Sequence, residues 1–127
     1  MTKILVVDDT ALMRRLLQQV LGAAGYEVVC AVDGQEGLDK VVAENPDLVI
    51  MDRNMPQMDG LEALRALRAD PATCSLPVFM TSARLQPADV AEMQAAGANG
   101  LIPKPFQFKQ LLAVIRQHLE GEEVSSI

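Results

Sequence analysis

The sequence predicts an α/β fold in which one parallel sheet carries helices on both faces. Apolar runs of strand length alternate with longer segments of helical period, and this pair of elements recurs five times along the 127 residues. Most of the short runs are apolar throughout, which is typical of strands covered on both faces. The connections are short, and strand–helix repeats of this kind form parallel sheets with right-handed crossovers.

The predicted strands are short and rich in aliphatic residues: Lys3–Val7, Glu27–Ala31, Leu48–Met51, Val78–Met80 and Gly100–Ile102. The segments that follow them have the period of amphipathic helices: Ala11–Ala24, Gln35–Glu44, Leu61–Ala69, Pro87–Ala96 and Phe106–Glu120. A chain of 13.7 kDa has the size of one domain, which we expect over residues 1–121, with a flexible C-terminal tail over 122–127.

Glycine, asparagine, aspartate and proline mark the ends of the predicted helices. Gly25 suits a left-handed cap after the first helix, and Gly97 closes the fourth. Asn45-Pro46 stops the second helix, because the residue before proline avoids the helical region. Asp59-Gly60 forms a turn that can also cap the third helix, which ends at Asp70-Pro71.

Composition and charge argue against several classes of function. The net charge is −6, and the eleven basic residues form no run longer than Arg14-Arg15, so we expect no nucleic-acid partner. The apolar runs are far shorter than the roughly 20 residues that span a bilayer, and the chain does not open on a secretory signal. Cys30 and Cys74 have no metal or redox spacing. We therefore expect a cytoplasmic protein without membrane insertion.

Polar residues stand at the ends of four predicted strands. Asp8 and Asp9 follow the first strand, Asp52 the third and Thr81 the fourth, and Lys104 lies just after the fifth. The carboxyl ends of parallel strands lie along one edge of the sheet, where ligands bind at the point of reversed strand order. We therefore expect these side chains to converge in one site.

The convergent side chains indicate a metal and a phosphoryl group. Carboxylates about 4 Å apart repel by on the order of 4 kcal/mol at a surface-like dielectric, and a bound cation removes that cost. Only oxygen ligands are offered, which favours a hard ion such as Mg²⁺. The hydroxyl of Thr81 and the ammonium of Lys104 can donate to a second anion, and the whole set suits a phosphoryl group bridged by metal.

A carboxylate is the best candidate for the phosphoryl acceptor. The sequence has no G-x-x-x-x-G-K-[ST] loop, which argues against a nucleoside triphosphate as the donor. An aspartate can itself be the nucleophile and form an acyl phosphate. Asp52 is the preferred acceptor, because it stands alone at its strand end while Asp8 and Asp9 are paired.

Four motifs in order, "VVDDTALMRR", "MDRNMPQMDGLE", "LRADPATCSLPVFMTSA" and "GANGLIPKPF", resemble the receiver domains of two-component response regulators, above all the single-domain CheY-like type. The resemblance covers Lys3 to about Leu119 and implies a flavodoxin-like sheet of order 2-1-3-4-5. It further implies that Asp52 takes its phosphoryl group from a phosphohistidine on a sensor kinase or phosphotransfer protein. Mg²⁺ would bind Asp9, Asp52 and the main-chain carbonyl of Asn54 directly, and Asp8 through water.

The resemblance also implies how the signal is read. Thr81 and Lys104 would hold the phosphoryl oxygens, and the Lys104–Pro105 bond is similar to one that is often cis in the family. The family usually has an aromatic residue three positions before the lysine, and Leu101 stands there instead. We therefore expect phosphorylation to be read through the loop after Thr81 and the last two helices.

The resulting hypothesis is a stand-alone signalling protein and not a metabolic enzyme. Its output would pass to a protein target through the face formed by Pro87–Ala96, the fifth strand and Phe106–Glu120, with a monomer expected and a weak dimer as the alternative. A second hypothesis is a Mg²⁺-dependent phosphatase or phosphotransferase with an aspartate nucleophile, but such an enzyme needs an aspartate where Asn54 stands, and a cap domain. A third is a docking module with a vestigial acidic site.

Each candidate site residue also has a purely structural interpretation. Asp8 and Asp9 can simply cap the first helix, and Asp9 or Thr10 can also cap it in addition to a role in the site. Asp52 can form a surface pair with Arg53, worth only about 0–1 kcal/mol. Lys104 can be an ordinary exposed lysine, and Thr81 can favour a strand end through its β-branch. The arginines near the acidic edge are expected to form a solvated face, with attraction of a phosphorylated partner as the alternative: Arg14, Arg15 and Arg53.

Overall fold

The computed structural model describes residues 1–120 and shows one parallel sheet of five strands in the order β2-β1-β3-β4-β5. The strands are β1 (Lys3–Val7), β2 (Glu27–Ala31), β3 (Leu48–Asp52), β4 (Val78–Ser82) and β5 (Gly100–Pro103). This confirms the predicted fold class and strand order. The predicted tail over residues 122–127 lies outside the described residues.

Five helices connect and follow the strands: α1 (Ala11–Ala23), α2 (Gly34–Glu44), α3 (Gly60–Ala69), α4 (Pro87–Ala95) and α5 (Phe108–Glu120). Their bounds agree with the predicted ones to within one residue, except that α5 begins two residues later than expected. Its first backbone bond of helical spacing runs from Leu111 N–H to the carbonyl of Gln107, so Phe106 precedes the helix. None of the helices in residues 1–120 has the length and apolar character needed to cross a membrane.

The sheet separates two hydrophobic cores, and the strands contribute alternate residues to each. Leu5 and Val7 of β1 pack in the core that includes Leu64 of α3. Ile4 and Val6 of the same strand pack in the opposite core with Leu17 of α1. Because both faces of β1 are covered, the strand is apolar at every position from Ile4 onward. The central strands thus run through the interior and end at one polar edge.

Glycine and aspartate end and begin the helices as the sequence predicts. Gly25 has φ +98° and Gly97 has φ +102°, and in each case the following amide bonds back to the last turn of the helix. Asn45 also adopts a left-handed conformation, with φ 50°, and caps α2. The carboxylate of Asp59 accepts a hydrogen bond from Glu62 N–H and caps the start of α3.

Polar contacts fix the edge of the sheet opposite the acidic edge. The guanidinium of Arg68 donates to the carbonyls of Gly97 and Leu76 at 3.0 and 2.8 Å, and to Asn99 Oδ1 at 2.8 Å. The same Asn99 oxygen accepts the backbone N–H of Val78 at 2.8 Å. These bonds hold the start of β5 against the start of β4, so the far ends of both strands are set in register.

Candidate functional site

The acidic residues at the carboxyl ends of β1 and β3 converge as the strand order requires. Asp8, Asp9 and Asp52 each offer a carboxylate oxygen, and these oxygens lie within 4.8 Å of one another. Asp8 and Asp52 are 2% and 4% exposed, while Asp9 is open to solvent. The site therefore has two buried acids below and one accessible acid at its rim.

The loop from β1 to α1 holds Asp8 in a fixed position. Asp8 N–H donates to the carbonyl of Ala31, and Asp8 Oδ1 accepts the amide and the hydroxyl of Thr10 at 2.9 and 2.8 Å. Arg14 Nη1 donates to the carbonyl of Asp8 at 2.8 Å. Thr10 occupies the N-cap position of α1, although its side chain makes no cap hydrogen bond.

Asp52 is the last residue of β3, where a tight loop turns back toward α3. Its Oδ1 accepts the backbone N–H of Asn54 at 3.2 Å. Gly60 passes so close that a Cβ there would lie 2.1 Å from the carbonyl oxygen of Asp52, and the Gly60 amide bonds to the carbonyl of Arg53. Glycine is therefore required at this approach, because any side chain would displace the loop that follows Asp52, residues 53–59, which we call the acceptor loop.

Lys104 forms ion pairs with both buried acids. Its Nζ lies 3.2 Å from Asp8 Oδ2 and 3.2 Å from Asp52 Oδ2, and its side chain is 19% exposed. The Lys104–Pro105 bond is cis, as the family resemblance implies. The interpretation of Lys104 as an exposed lysine is thus wrong, and so is the surface pair between Asp52 and Arg53, since Lys104 is the partner of Asp52.

Thr81 lies beside Asp52 on the neighbouring strand. The two residues are register partners, and Thr81 is 1% exposed. Its carbonyl accepts the amide of Arg53 at 3.0 Å, which joins the ends of β3 and β4. Leu101, by contrast, pairs with Met80 and is half-buried against the core. The effect of a leucine at this position on the readout of Thr81 stays a prediction.

Burial and neighbouring charges perturb the two central ionisable groups. Burial raises the pKa of Asp52 above its ordinary value, and the ammonium of Lys104 and the amide of Asn54 offset this only in part, while Asp8 adds to the rise. Burial on its own lowers the pKa of Lys104, but the charges of Asp52 and Asp8 outweigh it, so this pKa is raised. Lys104 is thus held as a cation between acids.

The donor set of the site fits a hard divalent cation. The acid cluster offers carboxylate oxygens only, and Mg²⁺ is bound by few carboxylates and retained waters. Asp9 is accessible from solvent, which gives an ion a way in. Lys104 Nζ lies 3.2 Å from Asp52 Oδ2, and Thr81 is the register partner of Asp52, so both offer donors beside this carboxylate. A group carrying negative oxygens can therefore be held there between a cation and these two residues.

The sequence analysis missed several residues that shape the site. Thr10 and Arg14 fix Asp8, and neither role has a local sequence signal beyond proximity to the acidic pair. The expectation that Arg53 lies on a solvated face is wrong: its side chain is 17% exposed, and Nη2 lies 2.7 Å from Glu92 Oε1 on α4. The prediction failed because the partner is distant in sequence and lies across a loop.

Comparison with known proteins gives a consistent result. The model of the response regulator receiver domain family matches residues 4–116. The chain is 40% identical over 114 residues to the response regulator MprA of Mycolicibacterium vanbaalenii, and this match covers 90% of the chain but 48% of MprA. The MprA of Mycobacterium avium matches at the same identity with 49% of its length covered. The chain thus spans about half the length of these curated relatives.

Solved structures match over almost the whole chain. The chemotaxis protein CheY4 of Vibrio cholerae superposes with a TM-score of 0.89 at 37% identity, and the match covers 94% of this chain and 99% of that one. A CheY-like receiver domain protein of Methanospirillum hungatei superposes with a TM-score of 0.88 at 29% identity, with 95% of both chains covered.

Proposed function

The chain belongs to the response regulator receiver domain family, and from this premise we propose that it accepts a phosphoryl group on Asp52 in a Mg²⁺-dependent reaction. The family is a signalling domain, so the proposed role is a phosphorylation-controlled switch. The observation that carries the proposal is the position of Asp52, a buried carboxylate beside Asp8 and 3.2 Å from the ammonium of Lys104. The proposed donor is a phosphohistidine on a sensor histidine kinase or phosphotransfer protein.

In the proposed step an oxygen of Asp52 attacks the phosphorus atom of the phosphohistidine. A P–O bond forms as the P–N bond breaks, and the imidazole leaves with the electron pair of that bond and takes up a proton. The attacking carboxylate must be ionised, and Lys104 favours that form. Lys104 and the Thr81 hydroxyl then donate to the phosphoryl oxygens, whose charge exceeds that of the original carboxylate.

We place Mg²⁺ at the cluster of Asp8, Asp9 and Asp52, with the main-chain carbonyl of Asn54 as a further ligand. Support comes from the oxygen-only donor set and from the separation of these carboxylate oxygens, all within 4.8 Å. When bound, the ion would neutralise the acids and the oxygens of the entering phosphoryl group. Asp8 is fixed by Thr10 and Arg14, so this side of the cluster is preorganised.

The proposed activity is confined to phosphorylation and dephosphorylation of the domain itself. An aspartate-nucleophile phosphatase would need a second aspartate two positions after Asp52, and Asn54 stands there. The backbone N–H of Asn54 donates to Asp52 Oδ1. The amide side chain of Asn54 cannot serve as a general acid and base. Turnover of an aryl phosphate at ordinary enzyme rates would contradict this proposal.

We further propose that the receiver unit spans residues 1–121 of a cytoplasmic protein, monomeric or weakly dimeric, that signals by protein contact. The proposed output face is Pro87–Glu120. Support for this face comes from a groove of about 100 Å³ beside Leu101 and Val114, whose lining has no charged side chain. The phosphoryl analogue beryllofluoride should shift the amide resonances of this face, and shifts confined to the strand ends would contradict the proposal.

The acceptor assignment is tested by exchange of a single carboxylate. Asp52→Asn should abolish labelling by acetyl phosphate and by a phosphorylated histidine kinase, because the amide is not a nucleophile. Asp39→Asn, which changes an exposed acid on α2, should leave labelling at the wild-type level. Full labelling of Asp52→Asn would show that another group is the acceptor.

A further inference from the structure

Arg53, which follows the proposed acceptor Asp52 in the sequence, extends its side chain to α4. Arg53 Nη2 lies 2.7 Å from Glu92 Oε1, and the side chain of Arg53 is 17% exposed while that of Glu92 is 45% exposed. The two residues are 39 positions apart. This ion pair is short and has one well-sheltered partner, so it is better placed to hold two elements together than a fully exposed pair.

The backbone of Arg53 is fixed, whereas its guanidinium has an unused donor. The Arg53 amide bonds to the carbonyl of Thr81, and its carbonyl accepts the amide of Gly60. Within residues 1–120, Arg53 Nη1 is the buried side-chain nitrogen that has no hydrogen-bond partner. A buried donor left unpaired costs free energy, so the guanidinium gains from a new acceptor nearby.

Helix α4 has few other anchors. Met93 is its one buried residue, and it directly follows Glu92. The remaining ion pairs on its residues are long: Arg65 Nη2 lies 3.8 Å from Glu92 Oε2, and Arg84 Nε lies 3.8 Å from Asp89 Oδ2. The bond from Arg53 is therefore the shortest ion pair on this helix in the described part of the chain.

We infer that the Arg53–Glu92 ion pair couples the charge of the acceptor to the position of α4. This inference rests on the proposed function. A phosphoryl group on Asp52 places new negative oxygens beside the residue that carries the guanidinium. These oxygens attract Arg53 and repel Glu92, so Arg53 transfers its donors to the phosphoryl group and releases Glu92. Arg53 is thus a positioning residue, and Glu92 of α4 and the phosphoryl group compete for its guanidinium.

Thermodynamic reciprocity makes the competition measurable. If the phosphoryl group weakens the hold on Glu92, loss of Glu92 must strengthen the binding of a phosphoryl analogue by the same factor. Glu92→Gln should therefore bind beryllofluoride, with Mg²⁺ present, about fivefold or more tightly than wild type. Arg53→Gln should bind it more weakly, because the donor itself is gone. A purely structural contact would shift both variants in the same direction.

Two control variants separate coupling from general charge effects. Glu62→Gln removes the same charge from an exposed acid in the first turn of α3, and Arg65→Gln removes the second cation on Glu92 without touching the acceptor loop. Both should bind beryllofluoride within about twofold of wild type, which is well below a typical coupling factor. A change in Glu62→Gln as large as that in Glu92→Gln would overturn the inference.

Hydrogen exchange of the full chain supplies the second readout. In wild type, Mg²⁺ and beryllofluoride should speed exchange of the α4 amides by about threefold or more, and in Glu92→Gln these amides should already be fast without the analogue. If beryllofluoride binds wild type but Glu92→Gln shows no gain in affinity, this inference is overturned and the proposed function is not. Failure of wild type to bind the analogue at all would overturn the proposed function, and this inference with it.

Discussion

The ammonium of Lys104 lies 3.2 Å from Asp8 Oδ2 across 96 positions of sequence. The same nitrogen lies 3.2 Å from Asp52 Oδ2, so one cation neutralises the two buried acids of the site. A divalent ion that enters the cluster seeks the same carboxylates. We therefore expect the proposed Mg²⁺ to compete with Lys104 in the unphosphorylated protein, and both to contact the phosphoryl group once it is attached.

Removal of the lysine should strengthen the response to Mg²⁺. In Lys104→Met the acids repel without compensation, so the melting temperature should fall in the absence of the ion and rise more than in wild type when the ion is added. A tenfold gain in Mg²⁺ affinity corresponds to about 1.4 kcal/mol of added stabilisation at saturating ion. Lys109→Met, an exposed lysine of α5, is the control. Equal Mg²⁺ shifts in wild type and Lys104→Met would contradict the competition.

Titration of the Asp52 carboxyl by carbon-13 NMR, without Mg²⁺, should give a pKa above the ordinary aspartate value of about 3.9. Lys104→Met should raise this pKa further, because it removes a charge that lowers it, and Asp8→Asn should lower it, because it removes a charge that raises it. Folding thus favours the protonated acid. Its contribution to stability is present below the ordinary pKa and is lost as the pH rises through the raised value. A midpoint unchanged by either substitution would contradict the proposed network.

Two glycines provide a matched pair for the close approach at the acceptor loop. A Cβ on Gly60 would lie 2.1 Å from the carbonyl oxygen of Asp52, whereas a Cβ on Gly22 in α1 would meet no atom within 4 Å. Gly60→Ala should therefore lower the free energy of unfolding by about 1–3 kcal/mol and slow labelling by acetyl phosphate. Gly22→Ala should raise stability by about 0.4–1 kcal/mol and leave labelling unchanged. Denaturant unfolding measures both, and equal effects would contradict the steric argument.

The opposite edge of the sheet supplies a prediction about stability alone. Asn99→Ala leaves the amide of Val78 and a nitrogen of Arg68 without their acceptor, so the free energy of unfolding should fall by about 1–3 kcal/mol. Asn99→Asp keeps an acceptor oxygen in place and should stay closer to wild type. Labelling of both variants should match wild type below their unfolding transitions, since these bonds lie far from Asp52. If Asn99→Ala had the same free energy of unfolding as wild type, the proposed role of the Asn99 side chain in joining β4 and Arg68 would be contradicted.

Much of the fold was predictable because burial on both faces leaves a simple mark in the sequence. The apolar runs of β1 and β3 identified buried parallel strands, and Gly25 and Gly97 marked helix ends through their positive φ angles. The predicted ends of β3 and β4 were short by one and two residues. Asp52 and Thr81 have polar side chains, which led the prediction to end both strands too early. The pairing of β3 with β4 continues through these two residues, because it depends on backbone hydrogen bonds and not on side-chain polarity.

The convergence of the site followed from topology, but its contacts did not. Any parallel sheet of this order brings Asp8, Asp52 and Lys104 to one edge, so their proximity could be predicted. The ion pairs of Lys104 could not, because they depend on the rotamer of a long side chain. The contact of Arg53 with α4 depends on the path of two loops and on tertiary packing, for which no local pattern exists.

The amides of Arg53 and Lys104 both donate to carbonyls of β4, those of Thr81 and Ser82, at 3.0 Å. The hydrogen-bond ladder thus runs on beneath the reacting atoms and does not stop at the edge of the site. A backbone held in this way cannot stretch to make room for new charge. We therefore expect these two amides to exchange only on global opening of the sheet, so they provide an internal reference for the exchange rates of amides elsewhere in the molecule.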